Sequence, residues 1–477
     1  MDKKTIKNYI YNLSYQILLV LTPLVTAPYI SHILHPKGVG IYSYTLTIAT
    51  AFSLFAALGI NAYGQREIAY KQENIEDRSI VFWELIIIRL IMTFFVTIIY
   101  FIFSFFYKSY TIYLLQQVFI IISVGFDISW FFQGIEDFRI IAIRNVFVKV
   151  ASIVLIFMFV KNQTHIGRYI LINSFSTFFS CLIFCFCLQH KIIKIEFKKL
   201  NLKKHIKGTC EFFVPLIATQ IYSQLDKIML GAITNNVIEN GYYEQARKIV
   251  NILILIITSI NSVMYSRISV LYAKNKTEEI KEMYQKTFRI IVFMLVPIVI
   301  GLWLVSDNFV LWFFGNDYIP VALLMKLSGF LIVFMGIGNF VGMQYLSPTG
   351  KQNQMTTVYI FAALINCMLN CILINKYQSV GAIIASIIAE AFSGIVQIVL
   401  LQKSNYKFKL YDGIWKYFVA GAIMGVVLLY IQKFLLFKGI ALTFMQIFIG
   451  ALIYVVFLFL EKEENIVLII NRIRKKI

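Results

Sequence analysis

Long apolar runs alternate with short polar segments from one end of the chain to the other. A helix needs about 20 apolar residues to cross roughly 30 Å of hydrocarbon. The sequence offers about fourteen runs of that kind, at 9–34, 39–63, 80–106, 110–133, 140–160, 168–190, 209–233, 241–268, 287–306, 320–346, 356–376, 379–402, 414–433 and 438–460. Polar residues inside the runs recur at helical spacing. Gln220, Gln224 and Lys227 stand at i, i+4 and i+7, with Thr219, Ser223 and Asp226 in the row beside them. Arg247, Asn251, Thr258 and Ser262 make a stripe along the eighth run, Gln116, Ser123, Asp127, Trp130 and Gly134 along the fourth, and Asn8, Asn12 and Gln16 along the first. Side chains three or four apart share a helix face, so the pattern predicts an all-α membrane protein of about fourteen transmembrane helices.

The runs repeat. LTPLVTAPYIS, with Pro23, is echoed by FVPLIATQIYS, with Pro215, and GIYSY from Gly40 more loosely by GYYEQ from Gly241, the offset lengthening from 192 to 201 residues. The expected organisation is two six-helix lobes, 1–190 and 209–402, joined by a lysine-rich linker at 191–208 and followed by 403–477 with two extra helices and a tail. Six spans per copy give both copies one orientation, the parallel-repeat arrangement of some alternating-access transporters. In the tail, Ile466, Ile470, Ile473 and Ile477 share a face beside Arg472, Arg474, Lys475 and Lys476. That segment reads equally as an interfacial helix or a solvated tail.

Composition agrees with the pattern: 59% of the 477 residues are hydrophobic and 14% charged, against about half and a quarter in soluble domains. The charged start at Met1–Lys7 precedes an apolar run too long for a cleaved signal peptide. The formal net charge of +20 does not point to nucleic acid, because the bases lie in short loops rather than in a polar domain. Lys3, Lys4, Lys7, Arg66, Lys71, Arg78, the lysines of 191–207, Lys274, Lys276, Lys281, Lys351, Lys403, Lys407, Lys409 and the tail fall on one side. Positive loops stay in the cytoplasm, so both termini are expected there. The cysteines Cys181, Cys185, Cys187, Cys210, Cys367 and Cys371 lie in or beside apolar runs without metal-type pairs and read as free thiols. PTGKQNQ at 348–354 lacks the phosphate-loop spacing, GIGNFVG at 336–342 misses the dinucleotide pattern, and the five histidines sit at span ends. Neither catalysis nor a cofactor is expected.

A charge at mid-span costs roughly 2.5–3.5 kcal/mol on the insertion scale, so each must face protein or water. The third span carries Glu84 and Arg89, the fifth Arg144 and Lys149, the seventh Asp226 and Lys227, the eighth Arg247 and Lys248, the ninth Arg289, the tenth Lys326 and the twelfth Glu390. Glu84 with Arg89, or Asp226 with a neighbouring cation, are candidate structural pairs. Cations still outnumber anions. Polar stripes can be interhelical glue worth about 1 kcal/mol per contact, yet surplus cations fit a water-filled cavity for an anion such as phosphate or pyrophosphate, which Arg binds bidentately.

PLVTAPYISHILHPKGVGIYSYTLTI, LFAALGINAYGQREIA, DISWFFQGIEDFR, LDKIMLG and YLSPTGKQNQM together resemble the polysaccharide repeat-unit flippases of the Wzx type, in the multidrug/oligosaccharidyl-lipid/polysaccharide exporter superfamily. The resemblance implies two lobes around a cationic cavity and transfer of undecaprenyl-pyrophosphate-linked oligosaccharide to the outer face of a bacterial cytoplasmic membrane for capsule or O-antigen, with a polymerase and a chain-length regulator as candidate partners. Carried onto this chain, the cavity cations are Arg89, Arg144, Lys149, Lys227, Arg247 and Lys326. Trp130, Gln220 and Gln224 are candidate sugar contacts, and Asp127, Asp226, Glu84 and Glu390 candidate ion-coupling groups. The first external turn departs from the family pattern: His32 and Leu34-His35-Pro36-Lys37-Gly38 stand where an Arg and Leu-Gly-Pro-Glu-Gly are expected. The rivals are a teichoic-acid or peptidoglycan precursor flippase and, further off, a multidrug/cation antiporter, whose substrate calls for an acidic cavity.

Overall fold

The computed structural model describes residues 3–189, 191–403, 413–434 and 438–463. The tail with Ile466 to Ile477, Lys407 and Lys409 lie outside the described residues, as do the side chains of Asn8, Asn12 and Gln16. Among the described residues the chain is helical throughout, in fourteen α-helices. In order they are α1 (Lys3–Ala57), α2 (Ile60–Tyr70), α3 (Ile75–Phe106), α4 (Thr111–Phe126), α5 (Ser129–Gly134), α6 (Phe138–Phe159) and α7 (Ile166–Cys187). Then come α8 (Lys203–Thr234), α9 (Val237–Ala273), α10 (Thr277–Phe313), α11 (Ile319–Val341), α12 (Gln352–Gln402), α13 (Trp415–Phe434) and α14 (Ile440–Leu460). Ten helical segments of the described residues are long and apolar enough to cross a membrane. Large apolar side chains such as Phe94, Phe106, Phe147, Phe418 and Phe448 point outward, as lipid-facing surface requires. The molecule is a multi-pass, all-α membrane protein.

The sequence-derived spans survive with two informative breaks. α1 holds two spans joined at His35 (φ 53°, ψ 177°), and α12 holds two joined at Gln378 (φ 51°). The second run, 39–63, is cut after Ala57, where Leu58 (φ 44°) and Gly59 (φ 69°) turn the chain into α2. The fourth, 110–133, is cut at Asp127, which ends α4 and whose Oδ1 accepts from Ser129 N of α5 at 3.0 Å.

The fold divides into two compact units, Met1–Gly241 and Tyr242–Ile477. In unit 1, α4 packs on α1, α3 and α7, and α1 runs against α6 and α8. An aromatic core binds α2, α3, α5 and α7: Phe82 stacks on Trp130 (5.8 Å, 25°), Phe132 on Phe184 (5.0 Å, 20°), and Tyr63 and Phe131 close the sides. In unit 2, α10, α11 and α12 pack in succession, and the α13–α14 hairpin docks on α10. Asn308 Nδ2 donates to Gly439 O (2.7 Å) and Thr443 Oγ1 (2.8 Å), Trp312 Nε1 donates to Thr443 Oγ1 (2.9 Å), and Tyr454 OH donates to Phe293 O (3.1 Å).

Within unit 1 the start of α9 crosses α1 at backbone contact. A Cβ on Gly40 would lie 1.7 Å from Val237 O, and one on Gly241 would lie 2.2 Å from Pro36 O. The contact is reciprocal, and Gly40 and Gly241 are separated by the 201-residue offset of the repeat. Small residues let membrane helices approach this closely. Gly40→Ala is therefore expected to lower the apparent melting temperature of the detergent-purified protein by several degrees. Gly301→Ala, in α10 with nothing within 4 Å of its Cβ, is expected to leave it unchanged or raise it, since Ala in a helix is favoured by roughly 0.5–1 kcal/mol. Equal melting of the two variants would refute the close crossing.

Candidate functional site

Arg89 sits where the two broken spans of unit 1 come together. It is 1% exposed. Its Nε donates to Val124 O, a carbonyl in the last turn of α4, and its Nη1 donates to Asn61 Oδ1 (2.7 Å) just beyond the Leu58–Gly59 turn. Nη2 lies 3.5 Å from Asp127 Oδ2. A helix end in lipid leaves carbonyls that must find donors inside the protein, and the five-donor guanidinium fork serves two ends at once. The expected Glu84–Arg89 pair does not form. Asp127 neutralises Arg89, and α2, α3, α4 and α5 are clasped together.

Glu84, fully buried, faces the linker instead. Its Oε1 accepts from Asn201 N (2.7 Å), and its Oε2 accepts from Lys204 Nζ (2.7 Å) and pairs with His205 Nε2 (2.8 Å). Tyr63 OH meets His205 Nδ1 at 2.8 Å. Further along, Arg78 Nη2 donates to Lys191 O (2.7 Å), Trp83 Nε1 to Ile193 O (3.0 Å), and Ile193 N to Ser79 Oγ (3.0 Å). Lys191 pairs with Asp137. The linker is thus a strap seated on α3. Sequence reasoning passed over Tyr63, Asn61 and His205. Only the polarity of Tyr63 and Asn61 beside a Leu-Gly break and the lysines flanking His205 could have marked them.

The cations of α6 are placed differently. Arg144 Cζ stands 3.8 Å from the Phe184 ring centroid, its Nη1 donates to Ser180 O (3.2 Å), and its Nε donates to Asn145 Oδ1 (3.1 Å). Lys149 follows about one and a half turns later, half-buried, and among the described residues its ammonium has no hydrogen-bond or ion-pair partner. Retaining such a cation within a span is costly unless water or an anion meets it.

On α8, Gln220, Gln224 and Lys227 are half-buried and Asp226 is buried. Two sequence-based assignments need correction. Trp130 is fully enclosed, stacked on Phe82 with Gly64 pressed on its indole so closely that a Cβ there would lie 2.7 Å from Cε3; here it packs a core rather than lining open space. Lys326 is not a surplus cation, because both carboxylate oxygens of Asp307 hold it at 2.7 and 2.6 Å. In unit 2, Arg247 is half-buried on α9 and Glu390 buried on α12. Unit 2 also holds a buried contact that the spacing did not reveal, Gln344 Nε2 donating to Asn261 Oδ1 at 2.8 Å, with Tyr284 OH donating to Gln344 O beside a π-helical turn at Gly342–Leu346. Among the described residues no three of His, Cys, Asp and Glu converge on one point where an ion could sit.

A family model described as "Polysaccharide biosynthesis protein" matches residues 5–272, and one described as "MatE" matches residues 213–372. The chain is 22% identical over 408 residues to a protein of Escherichia coli K12 described as a putative O-antigen transporter, covering 84% of this chain and 97% of the relative. Among solved structures, a lipid II flippase MurJ in an inward closed conformation superposes with TM-score 0.72 at 16% identity, over 95% of this chain and 98% of that one. An inward-facing multidrug-resistance MATE transporter of the MOP superfamily gives TM-score 0.63 at 13% identity, over 90% and 96%. At these identities the two likenesses are of fold.

Removing a partner from a buried ion pair costs about 3–5 kcal/mol. Arg89→Ala should therefore act first on stability, giving an aggregated or early-melting protein by size-exclusion and thermal-shift measurement. Asp127→Asn, which keeps an acceptor for Ser129 N, should cost less. An Arg89→Ala protein as stable as wild type would contradict the clasp.

Proposed function

The chain belongs to the polysaccharide biosynthesis protein family, and from that premise we propose that it is a flippase carrying undecaprenyl-pyrophosphate-linked oligosaccharide repeat units from the cytoplasmic to the outer face of the bacterial cytoplasmic membrane, for capsule or O-antigen assembly. The observation that carries this reading is the Lys149 ammonium, within a span and without a protein counter-charge among the described residues. Arg144 on the same helix adds a guanidinium held beside Phe184. In a site of reduced dielectric, such cations replace the water around a diphosphate.

The roles follow from the surroundings. Lys149 and Arg144 are the primary phosphate ligands, with Lys227 and Arg247 as further cations of the same class. Arg89, with its donors spent on Val124, Asn61 and Asp127, positions the helices. Gln220 and Gln224 remain the sugar-facing candidates, each offering donors and acceptors. Asp226 and Glu390, buried on α8 and α12, are carried forward as candidate ion-coupling groups. Alternating access exposes the cations to each face in turn, with the repeat lobes 1–190 and 209–402 as the moving parts and both termini cytoplasmic.

A teichoic-acid or peptidoglycan precursor shares the phosphate chemistry and remains the second reading; the fold likeness to a lipid II flippase favours keeping it. A cationic drug as substrate is disfavoured by the sign of α6. In a strain deleted for its own repeat-unit flippase, the wild-type chain should restore surface polysaccharide. Lys149→Ala and Arg144→Ala should each cut it at least tenfold at normal membrane levels, and Lys149→Arg should retain a measurable part. Full export by both alanine variants would remove the phosphate-binding role from α6.

A further inference from the structure

We propose that His205 is a proton-binding residue whose neutral form holds the linker end of α8 onto α2 and α3, and whose protonation releases it. The inference goes beyond the transport reading and does not rest on the identity of the substrate.

The geometry is that of a catch. Tyr63 OH donates to Nδ1 and Nε2–H donates to Glu84, each at 2.8 Å, so a neutral imidazole in this tautomer has both nitrogens satisfied. The ring is 2% exposed. On either side the elements meet with no room to adjust. A Cβ on Gly208 would lie 2.3 Å from Tyr63 Cε2, and one on Gly59 would lie 2.6 Å from Thr209 O. Any side chain at Gly208 or Gly59 would therefore hold α8 off α2.

The charges facing the ring come from three helices. α2 contributes Arg66 and Glu67 beside Tyr63, α3 contributes Glu84, and α8 contributes Lys204 and Glu211. Glu84 is the nearest carboxylate, but the exposed Lys204 already pairs with it, so a protonated His205 would add a second cation, this one buried, to one carboxylate. Burial is the largest influence and holds His205 below the ordinary imidazole range; hydrogen bonding and attraction to Glu84 pull the other way, and Lys204 adds to the burial. The docked state therefore binds the proton less readily than the undocked state does. Docking is complete above the ordinary value of about 6.5 and weakens as pH falls below it, through the depressed value.

The test is hydrogen–deuterium exchange of the full chain in lipid nanodiscs, followed on peptides covering 191–213 from about pH 8 to about pH 5.5, a window bracketing the ordinary imidazole range, with times scaled for intrinsic exchange. Wild-type protection should drop several-fold, with a midpoint below the ordinary imidazole value. His205→Gln, which keeps hydrogen-bonding capacity but does not titrate, should lose the step. Tyr63→Phe keeps the ring against Gly208 but removes the donor to Nδ1, so its step should move to higher pH. Flat wild-type protection, or the wild-type step persisting in His205→Gln, would overturn the proposal. If His205→Gln does not fold, an unchanged midpoint in Tyr63→Phe overturns it.

Discussion

The arrangement of unit 1 depends on one buried guanidinium. Desolvating an ion costs several kcal/mol even after the protein relaxes, and Arg89 offsets that cost by hydrogen-bonding and pairing with groups at the breaks in the helices. α4 ends at Asp127, where Val124 O accepts from both Asp127 N and Arg89 Nε; the second span ends at Ala57 and brings Asn61 round on α2. Polar groups at a helix break in hydrocarbon have no water to turn to, and the guanidinium gives Val124 O a second donor and Asn61 Oδ1 its partner. The charge and the breaks thus share one set of contacts. The clasp also fixes α5, and with it Trp130, Phe131 and Phe132 as a wedge in the aromatic core.

This constraint separates structural charges from functional ones. Arg89, Glu84 and Lys326 looked alike as ionisable residues inside apolar runs. Each has a protein partner: Asp127 at 3.5 Å, Lys204 at 2.7 Å, and Asp307 at 2.6 Å. Of the cations first considered for a phosphate site, Lys149 is the one whose surroundings among the described residues supply no such partner. An ammonium kept on α6 without one carries a desolvation cost that no ion pair offsets.

How much was readable beforehand follows the range of the interactions. Hydropathy is a local property, so the spans, both joints at His35 and Gln378, and the all-α class came from short windows of sequence. The breaks at Leu58–Gly59 and Asp127 were hidden because the residues around them stay apolar; Asp127-Ile-Ser is a capping pattern that the hydrophobic run masked. Partners were the least legible. Glu84 lies 121 residues from His205, and Lys326 lies 19 from Asp307, separations with no helical period to announce them. Trp130 shows the same blindness. Its place on a polar stripe suggested a sugar platform, but the α5 turn carries it into the core.

The linker lysines illustrate how one set of charges can meet two requirements at different times. During insertion, loop cations near a span bias a loop toward the cytoplasm without any specific partner, the side proposed for this linker. In the folded chain, Lys191, Lys199 and Lys204 meet Asp137, Glu76 and Glu84, while Lys194, Lys198, Lys203 and Lys207 stay exposed. Exposed pairs such as Lys199–Glu76 contribute little, from zero to about 1 kcal/mol. The seating of the strap therefore comes from its backbone contacts to Arg78, Ser79, Trp83 and Glu84, groups along one side of α3. A segment held by directed hydrogen bonds rather than by charge alone has a definite docked position. That position, together with the titratable ring at its end, makes the strap able to act as a switch rather than as a tether.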